Sequence, residues 1–396
     1  MQPSSSRHPF LIDLLDEREL AFLKQAEEFC AAEVDLNVEK WEKEELLPRE
    51  IFSKAGKIGL MGTTAPEIYG GAELRCVAHV LIVKELSYHF GAFGLDVAAH
   101  NTLCLGHILE FCSEDQRRRV APKLASGEWL GAWALTEPAA GSDIGGLETT
   151  AVETPDGWEI TGRKMFITQG RRADMLVVMA RTGTVENGKK EISAFLVAKD
   201  QVEPVRKIPT FGVKASETSE LAFKKSKAEL IGEKGRGQEQ ALAVLDRGRI
   251  GVAAVSLGIA TAALDAARHY ALHRKQFGHK IADFEAIQWM VAESTMELEA
   301  AELLMLRAAA MQDRGLRTTK ESAMAKLFAS EAATRICNRA MQVHGGSGYS
   351  RDLPLERYLR DAKFCEIGEG TSEIQHLVIA RNVFRETEEE EGQHER

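Results

Sequence analysis

The chain has 396 residues, enough for two or three packed units with real cores, and its composition is ordinary for a globular protein. A net charge of -10 argues against nucleic acid as the main partner, although a few local arginines can still hold an anionic small molecule. Cys30, Cys76, Cys104, Cys112, Cys337 and Cys365 are scattered without a C-x-x-C pair, which fits free thiols in a reducing compartment rather than a disulfide frame or zinc site.

No apolar run is expected to reach membrane-spanning length, so no membrane partner is expected. The opening MQPSSSRHPF lacks the apolar core of a signal peptide and is not Arg-rich like a transit peptide. A cytoplasmic protein, or a mature form, is therefore expected. Residues 1–130 read as a helical domain: LLDERELAFLKQAEEFCAAEV and VAHVLIVKELSYHF carry helical spacing, and GLMGTTAPEIYGGAEL between them reads as a loop. The texture changes at 131. WEITGRKMFIT, MLVVMAR, ISAFLVA and ELAFKKS are short, rich in β-branched or aromatic residues and punctuated by PDG and NG turns, so 131–237 reads as an antiparallel β domain. Helix returns over 238–385. Residues 238 to 312 have few breakers, Ile287, Val291, Leu298 and Met305 share one face, and Gly315 ends the run. Further helices are expected from about 318 to 343 and after Gly370, the pattern of a four-helix bundle. Residues 386–396 read as a disordered acidic tail. The fold class is thus α+β and multidomain, ordered helical, β, helical.

Several chemistries are missing from the pattern. There is no G-x-G-x-x-G after a strand, no P-loop and no H-E-x-x-H. His269 and His273 lie four apart on a helix, but no nearby acid or cysteine completes a metal set. Five stretches remain. WALTEPAAGSD could hold a flat heterocycle or phosphate by backbone donors, or be an ordinary strand-to-loop turn. KMFITQG could cover one face of a flat ring, or be a core strand. HRKQFG offers Arg274 for phosphate and Phe277 for packing. QVHGGSGYS could be a plain helix C-cap. LDRGRIG places two arginines at a helix start, suited to an anion or to solvent. Last comes EIGEGTSEIQ, where Glu369 stands between Gly368 and Gly370. As local structure it is a helix start capped by Thr371 or Ser372; as chemistry it is a carboxylate left uncovered for catalysis.

Together these stretches resemble the acyl-CoA dehydrogenase family, a group of FAD flavoproteins, from about residue 10 to 383. The resemblance implies the acyl-CoA dehydrogenase fold, FAD as cofactor and a short- or branched-chain-like member acting in fatty acid or branched-chain amino acid catabolism. It implies that Leu135, Thr136, Phe166, Ile167 and Thr168 hold the isoalloxazine ring, with Thr371 and Glu373 adding contacts. Arg274, Gln276 and Phe277 are similar to the set that reaches the FAD of a neighbouring subunit. Gln342, His344, Gly345 and Gly346 are similar to the set on its adenosine-diphosphate side. Ser142 resembles a CoA contact, and Asp246 and Arg249 match residues near the CoA nucleotide. A homotetramer and an electron-transferring flavoprotein acceptor are implied as partners.

Glu369 matches the family's catalytic base. It is expected to take the proton alpha to the thioester carbonyl while a hydride passes from the beta carbon to flavin N5, giving the trans-2-enoyl-CoA. In the family the thioester oxygen lies between the N–H of the base and a ribityl hydroxyl, which the backbone beside Gly370 suits. Some members place the base where this chain has Gly248, which cannot act. Many straight-chain members carry Tyr at the position of Gly368, so a wider acyl pocket and bulky acyl groups are expected here. Glu285 stands where Gln is common, with no consequence assigned, and His100 falls in the substrate region, either on a polar acyl group or as a buried structural histidine. The alternatives are an acyl-CoA oxidase or an enoyl-CoA reductase on the same fold; a non-enzymatic scaffold is disfavoured by the intact Glu369 and flavin motifs.

Overall fold

The computed structural model describes residues 14–185 and 188–394. The segment read for targeting signals, and Asn187 of the expected NG turn, lie outside them. Helices come first: α1 (Glu17–Phe29), α2 (Val38–Glu44), α3 (Arg49–Lys57), α4 (Cys76–His89), α5 (Gly91–Ala99), α6 (Gly106–Phe111) and α7 (Glu114–Ala125). Asp16 starts α1 with a capping box, its carboxylate accepting from Glu19 N at 2.8 Å while Glu19 accepts from Asp16 N at 3.1 Å. The loop before α4 contains two short 3-10 turns, Leu60–Gly62 and Glu67–Tyr69. A π-helical turn, His100–Leu105, joins α5 to α6 and carries Leu103 to the site described below.

The strands are β1 (Gly131–Ala134), β2 (Thr150–Thr154), β3 (Gly157–Thr168), β4 (Met175–Thr184), β5 (Lys190–Ala198), β6 (Glu203–Lys207) and β7 (Thr218–Ile231). Pairing runs from β4 through β2, β3, β7 and β5 and returns to β4, so the sheet closes on itself, with β1 beside β4 and β6 beside β7. It is antiparallel as expected, except that β1 and β2 run parallel to β4 along one edge. Both faces of β4 are covered, which explains its unbroken apolar run. Leu176, Val178 and Ala180 join Phe195 and Phe223 inside the barrel, whereas Met175, Val177 and Met179 pack outward with Leu105, Ile108 and Leu124.

The rest is helical: α8 (Gly237–His273), α9 (Glu285–Asp313), α10 (Thr319–His344), the short α11 (Gly346–Tyr349), α12 (Leu355–Cys365) and α13 (Ser372–His394). The expected run from 238 to 312 is interrupted by a hairpin of β8 (Lys275–Gln276) and β9 (His279–Lys280), which turns at Phe277 and Gly278, both with positive φ. By length and composition α8 could cross a membrane, which corrects the expectation that no apolar run is that long. It is a core helix: 89% of its apolar window is buried, and α4, α9 and α10 pack around it. Gly258 sets its closest approach, since a Cβ there would lie 2.3 Å from Lys84 O of α4. No predicted element covers α12. The acidic stretch from Glu386, expected to be disordered, continues α13 as helix to His394. Glutamate favours helix, and Glu386 and Glu389 pair with Lys320 and Arg385.

Candidate active site

Glu369 lies in the turn between α12 and α13. Its φ is +55° and that of Gly370 is +100°, so two successive residues take the left-handed region, which glycine tolerates and glutamate disfavours. The turn is tied at several points. Ser372 N donates to Glu366 O at 3.0 Å. Thr371 caps α13, its Oγ1 accepting from Ile374 N at 3.4 Å. Gly370 O accepts from Gln375 Nε2 at 2.9 Å and from Lys326 Nζ of α10 at 2.6 Å.

The Glu369 carboxylate turns inward onto α8. Its Oε2 is shut from solvent and has no hydrogen-bond partner. A Cβ built on Gly248 would sit 2.0 Å from that oxygen and 2.8 Å from Leu103 Cδ2, so the bare backbone of Gly248 is what makes room for the carboxylate. Burial pushes the Glu369 carboxyl up to about 7, against the pull of the Lys326 and Arg249 cations. A carboxyl that titrates near neutrality beside an apolar wall has the attributes of a general base. Gly368 leaves less space than its lack of a side chain suggests. A Cβ there would lie 2.5 Å from Phe364 Cζ, so the Phe364 ring fills the position beside it.

Arg249 is buried (3% exposed) and donates from Nη1 to Asp246 Oδ1 at 2.6 Å; Thr319 Oγ1 donates to Asp246 Oδ2 at 2.6 Å. Arg249 therefore sits inside, within the field of Glu369, and Asp246 is half-buried beside it. Burial lowers the Arg249 guanidinium and raises the Asp246 carboxyl.

The two strand-end motifs meet. Met165 N donates to Thr136 O at 2.9 Å, joining the loop after β1 to β3. Between Lys164 and Ile167 the β3–β7 register shifts, and there Phe166 takes φ +60° and is 56% exposed, while Leu135 and Ile167 are buried and Thr136 and Thr168 are partly open. An aromatic ring turned out of its strand beside two hydroxyls fits one face of a flat heterocycle, as the expected FAD requires. Two charged residues that the sequence reading missed fasten this corner. Buried Lys164 donates to Leu135 O at 2.7 Å and Glu137 Oε1 at 2.8 Å, and Glu137 accepts from the N–H groups of Glu148 and Thr149. The signal was present: Lys164 lies in KMFITQG and Glu137 in WALTEPAAGSD, charged residues beside apolar strand ends. Lys326, in SAMAKLFAS, was likewise legible as a lysine on an apolar helix.

A second set lies elsewhere. Arg274, Gln276 and Phe277 are exposed, Phe277 to 91%. His344 stacks on Tyr270 with ring centroids 4.3 Å apart, which brings the end of α10 against the end of α8. Gly345 takes φ +58°, and a Cβ at Gly345 or Gly346 would meet nothing within 4 Å, leaving an open cradle next to Gln342. Gly248 and His273 are 25 residues apart on α8, about 37 Å at 1.5 Å per residue. The second set thus lies far along α8 from the carboxylate of Glu369. Ser142, Glu285 and Glu373 are exposed. His100 is structural: its Nδ1 accepts from Gly131 N at 3.1 Å, its Nε2 lies 3.1 Å from Leu124 O, and burial lowers it to about 4. His269 and His273 stack on each other, and no group of three or more metal-ligating side chains occurs among the described residues.

Three family profiles match the chain: the acyl-CoA dehydrogenase N-terminal domain over 16–128, the middle domain over 132–226 and the C-terminal domain over 235–384. A probable acyl-CoA dehydrogenase of Bacillus subtilis, YngJ, is 43% identical over 370 residues, 91% of this chain and 97% of that protein. The butyryl-CoA dehydrogenase of Megasphaera elsdenii superposes with a TM-score of 0.91 at 34% identity, over 93% of this chain and 99% of that one. A chain from a structure of the electron transferring flavoprotein of Acidaminococcus fermentans superposes with a TM-score of 0.90 at 37% identity, over 94% and 99%.

Proposed function

The chain belongs to the acyl-CoA dehydrogenase family, and on that footing we propose that Glu369 is the base that takes the alpha proton of a short-chain acyl-CoA thioester. The enzyme is an FAD-dependent oxidoreductase acting on CH–CH bonds, and it dehydrogenates an acyl-CoA to the enoyl-CoA. The observation that carries the role of Glu369 is its buried, unpartnered Oε2 over Gly248.

When bound, FAD accepts the electrons that leave with the beta hydrogen. The protein's own part is placement and proton control. Thr136, Phe166 and Thr168 offer the face for the flavin, and Lys164 with Glu137 keeps that face in shape. Burial of the carboxylate over Gly248 holds Glu369 protonated until pH approaches 7 and makes it a stronger base once ionised. The Glu369 N–H is assigned to the thioester oxygen, Ser142 to CoA, and Asp246 with Arg249 to the support of the base and the nucleotide-side helix. Phe364 fills space beside Gly368, which disfavours the bulky acyl group expected from the sequence, and the likeness to the butyryl-CoA dehydrogenase supports a short one.

Two partners follow. The base site and the Arg274–Phe277 hairpin lie about 37 Å apart along α8, which supports a neighbouring copy as the source of Arg274, Gln276 and Phe277, and a homotetramer is the assembly that the family resemblance implies. The acceptor is an electron-transferring flavoprotein, a reading supported by the likeness to the Acidaminococcus fermentans chain. The unpaired cysteines fit a cytoplasmic setting.

The test is an anaerobic titration that follows flavin absorbance. Butyryl-CoA should bleach the flavin fully, octanoyl- and isovaleryl-CoA less, and Glu369→Gln should lower the rate with butyryl-CoA by about 10³-fold or more. Full-rate bleaching of Glu369→Gln removes Glu369 from the role, and preference for the branched acyl group removes the short-chain reading.

A further inference from the structure

Lys326 is a charged residue with no exposed surface, placed on the inner face of α10. Burying an ammonium is unfavourable unless it has good partners. Its Nζ donates to one backbone carbonyl, Gly370 O at 2.6 Å, in the residue after the base. That carbonyl belongs to the left-handed turn of Glu369 and Gly370, and Gln375 Nε2 grips it from the other side at 2.9 Å. Helix capping does not require this arrangement: α13 already has its cap in Thr371.

We propose that Lys326 is the positioning residue of this site: its buried ammonium, bonded to Gly370 O, locks the turn that presents Glu369. The proposal rests on the reading of Glu369 as that base. It does not depend on activity for its test.

The charged groups around Glu369 are few. From α8 comes Arg249, already tied to Asp246. From α12 come Cys365, whose thiol burial pushes to about 12, and Glu366, which accepts from Thr334 Oγ1 and pairs with Lys363. The turn between α5 and α6 approaches with Leu103, which is apolar. From α10 comes Lys326, whose cation opposes the upward push of burial on Glu369. The coupling is mutual, since the Glu369 carboxylate raises a Lys326 ammonium that burial lowers to about 8.

The experiment uses the FAD-loaded enzyme without substrate. Infrared difference spectra of protein labelled with ¹³C-glutamate, with Glu369→Gln identifying the band, give the midpoint of Glu369. In Lys326→Met and in Lys326→Gln that midpoint should rise by about one pH unit or more. Lys326→Gln keeps a donor for Gly370 O, so hydrogen exchange of 368–371 should stay slow there and speed up in Lys326→Met. Exchange of 368–371 as slow in Lys326→Met as in the parent, or an unchanged midpoint in both variants, overturns the proposal. Should those variants not fold, the reciprocal measurement decides. Carbon NMR of lysine Cε should show the midpoint of Lys326 lowered in Glu369→Gln, and an unmoved Lys326 rejects the coupling. Loss of Glu369 as the base would show separately, as undiminished bleaching by Glu369→Gln.

Discussion

A glutamate at φ +55° is held in a conformation that its own side chain disfavours, so its surroundings must impose it. What they gain is the direction of the carboxylate. It runs over Gly248, and the fit is tight enough that one methyl group would disturb it. Gly248→Ala places a Cβ 2.0 Å from Glu369 Oε2 and 2.8 Å from Leu103 Cδ2, both ends of side chains that can swing away. The fold should therefore survive while the base moves. We expect kcat to fall by about 10²-fold, with KM and melting temperature little changed, because a displacement of about 1 Å at a reacting group has that effect. Steady-state kinetics decides, and an unchanged kcat means that the carboxylate is not held by this contact. The sequence identified Gly248 as a position without a base, and it identified Glu369 through its flanking glycines. It did not show that the two facts are one. The bare Cα of one residue houses the carboxylate of the other, 121 positions away, and only the folded chain brings them together.

At the scale of elements, the flavin-facing corner depends on an ion pair that crosses from β3 to the loop after β1. Lys164 is fully buried and Glu137 nearly so. Lys164→Met leaves the Glu137 carboxylate buried with N–H donors but no cation, which should reduce stability by about 3–5 kcal/mol. Denaturant titration of the FAD-loaded enzyme should show this loss, and FAD should bind more weakly because Leu135 O loses its donor. Pairing Lys164→Met with Glu137→Gln should restore part of the stability; no recovery would mean that packing, not charge, holds the corner. The elements themselves were mostly legible. Period and composition marked the order helical, β, helical, and MLVVMAR read as a strand because both its faces are covered. Three features were not legible, for physical reasons. The hairpin at 275–280 lies between two long apolar helices and is too short to have a pattern. The interior of α12 has four buried residues among charges, so its face shows only once α8 and α10 pack against it. The acidic end of α13 reads as a solvated tail, yet glutamates prefer helix when a stable helix precedes them.

Over the whole molecule, the exposed stripe on α9 and the pattern of buried charge lead to separate predictions. Trp289, Met296 and Leu303 recur every seven residues on α9 and are 64%, 67% and 54% exposed, an apolar face that a second copy would cover. Met296→Glu should yield a chain-sized species by light scattering, and that species should lose FAD, since Arg274–Phe277 of another copy would no longer reach it. A dissociated chain that keeps its flavin would place the whole cofactor site in one subunit. The buried charges govern the response to pH. Asp96 and Asp361 are pushed up to about 7 from 3.8, and Glu369 to about 7 from 4.5, all by burial. A carboxyl raised on folding contributes stability below its unfolded value and loses it as pH rises through the folded one. His79, His100 and His107 are lowered by burial to about 4 from 6.5, so their contribution is present above 6.5 and is lost as pH falls through 4. These are the three groups of each kind that burial shifts furthest, and they act over the same interval with opposite slopes. The melting temperature of the holoenzyme should therefore be nearly flat between about pH 4.5 and 6.5. Above that interval His89, raised to about 9 by Asp35 and Glu85 against its burial, adds a loss of stability as pH climbs. Glu369→Gln removes one carboxyl from the balance and tips it toward the histidines. Its melting temperature should then rise with pH across the interval where that of the parent stays level. Calorimetry at several pH values reads the difference directly, and parallel profiles for the two proteins would show that Glu369 folds with an ordinary carboxyl.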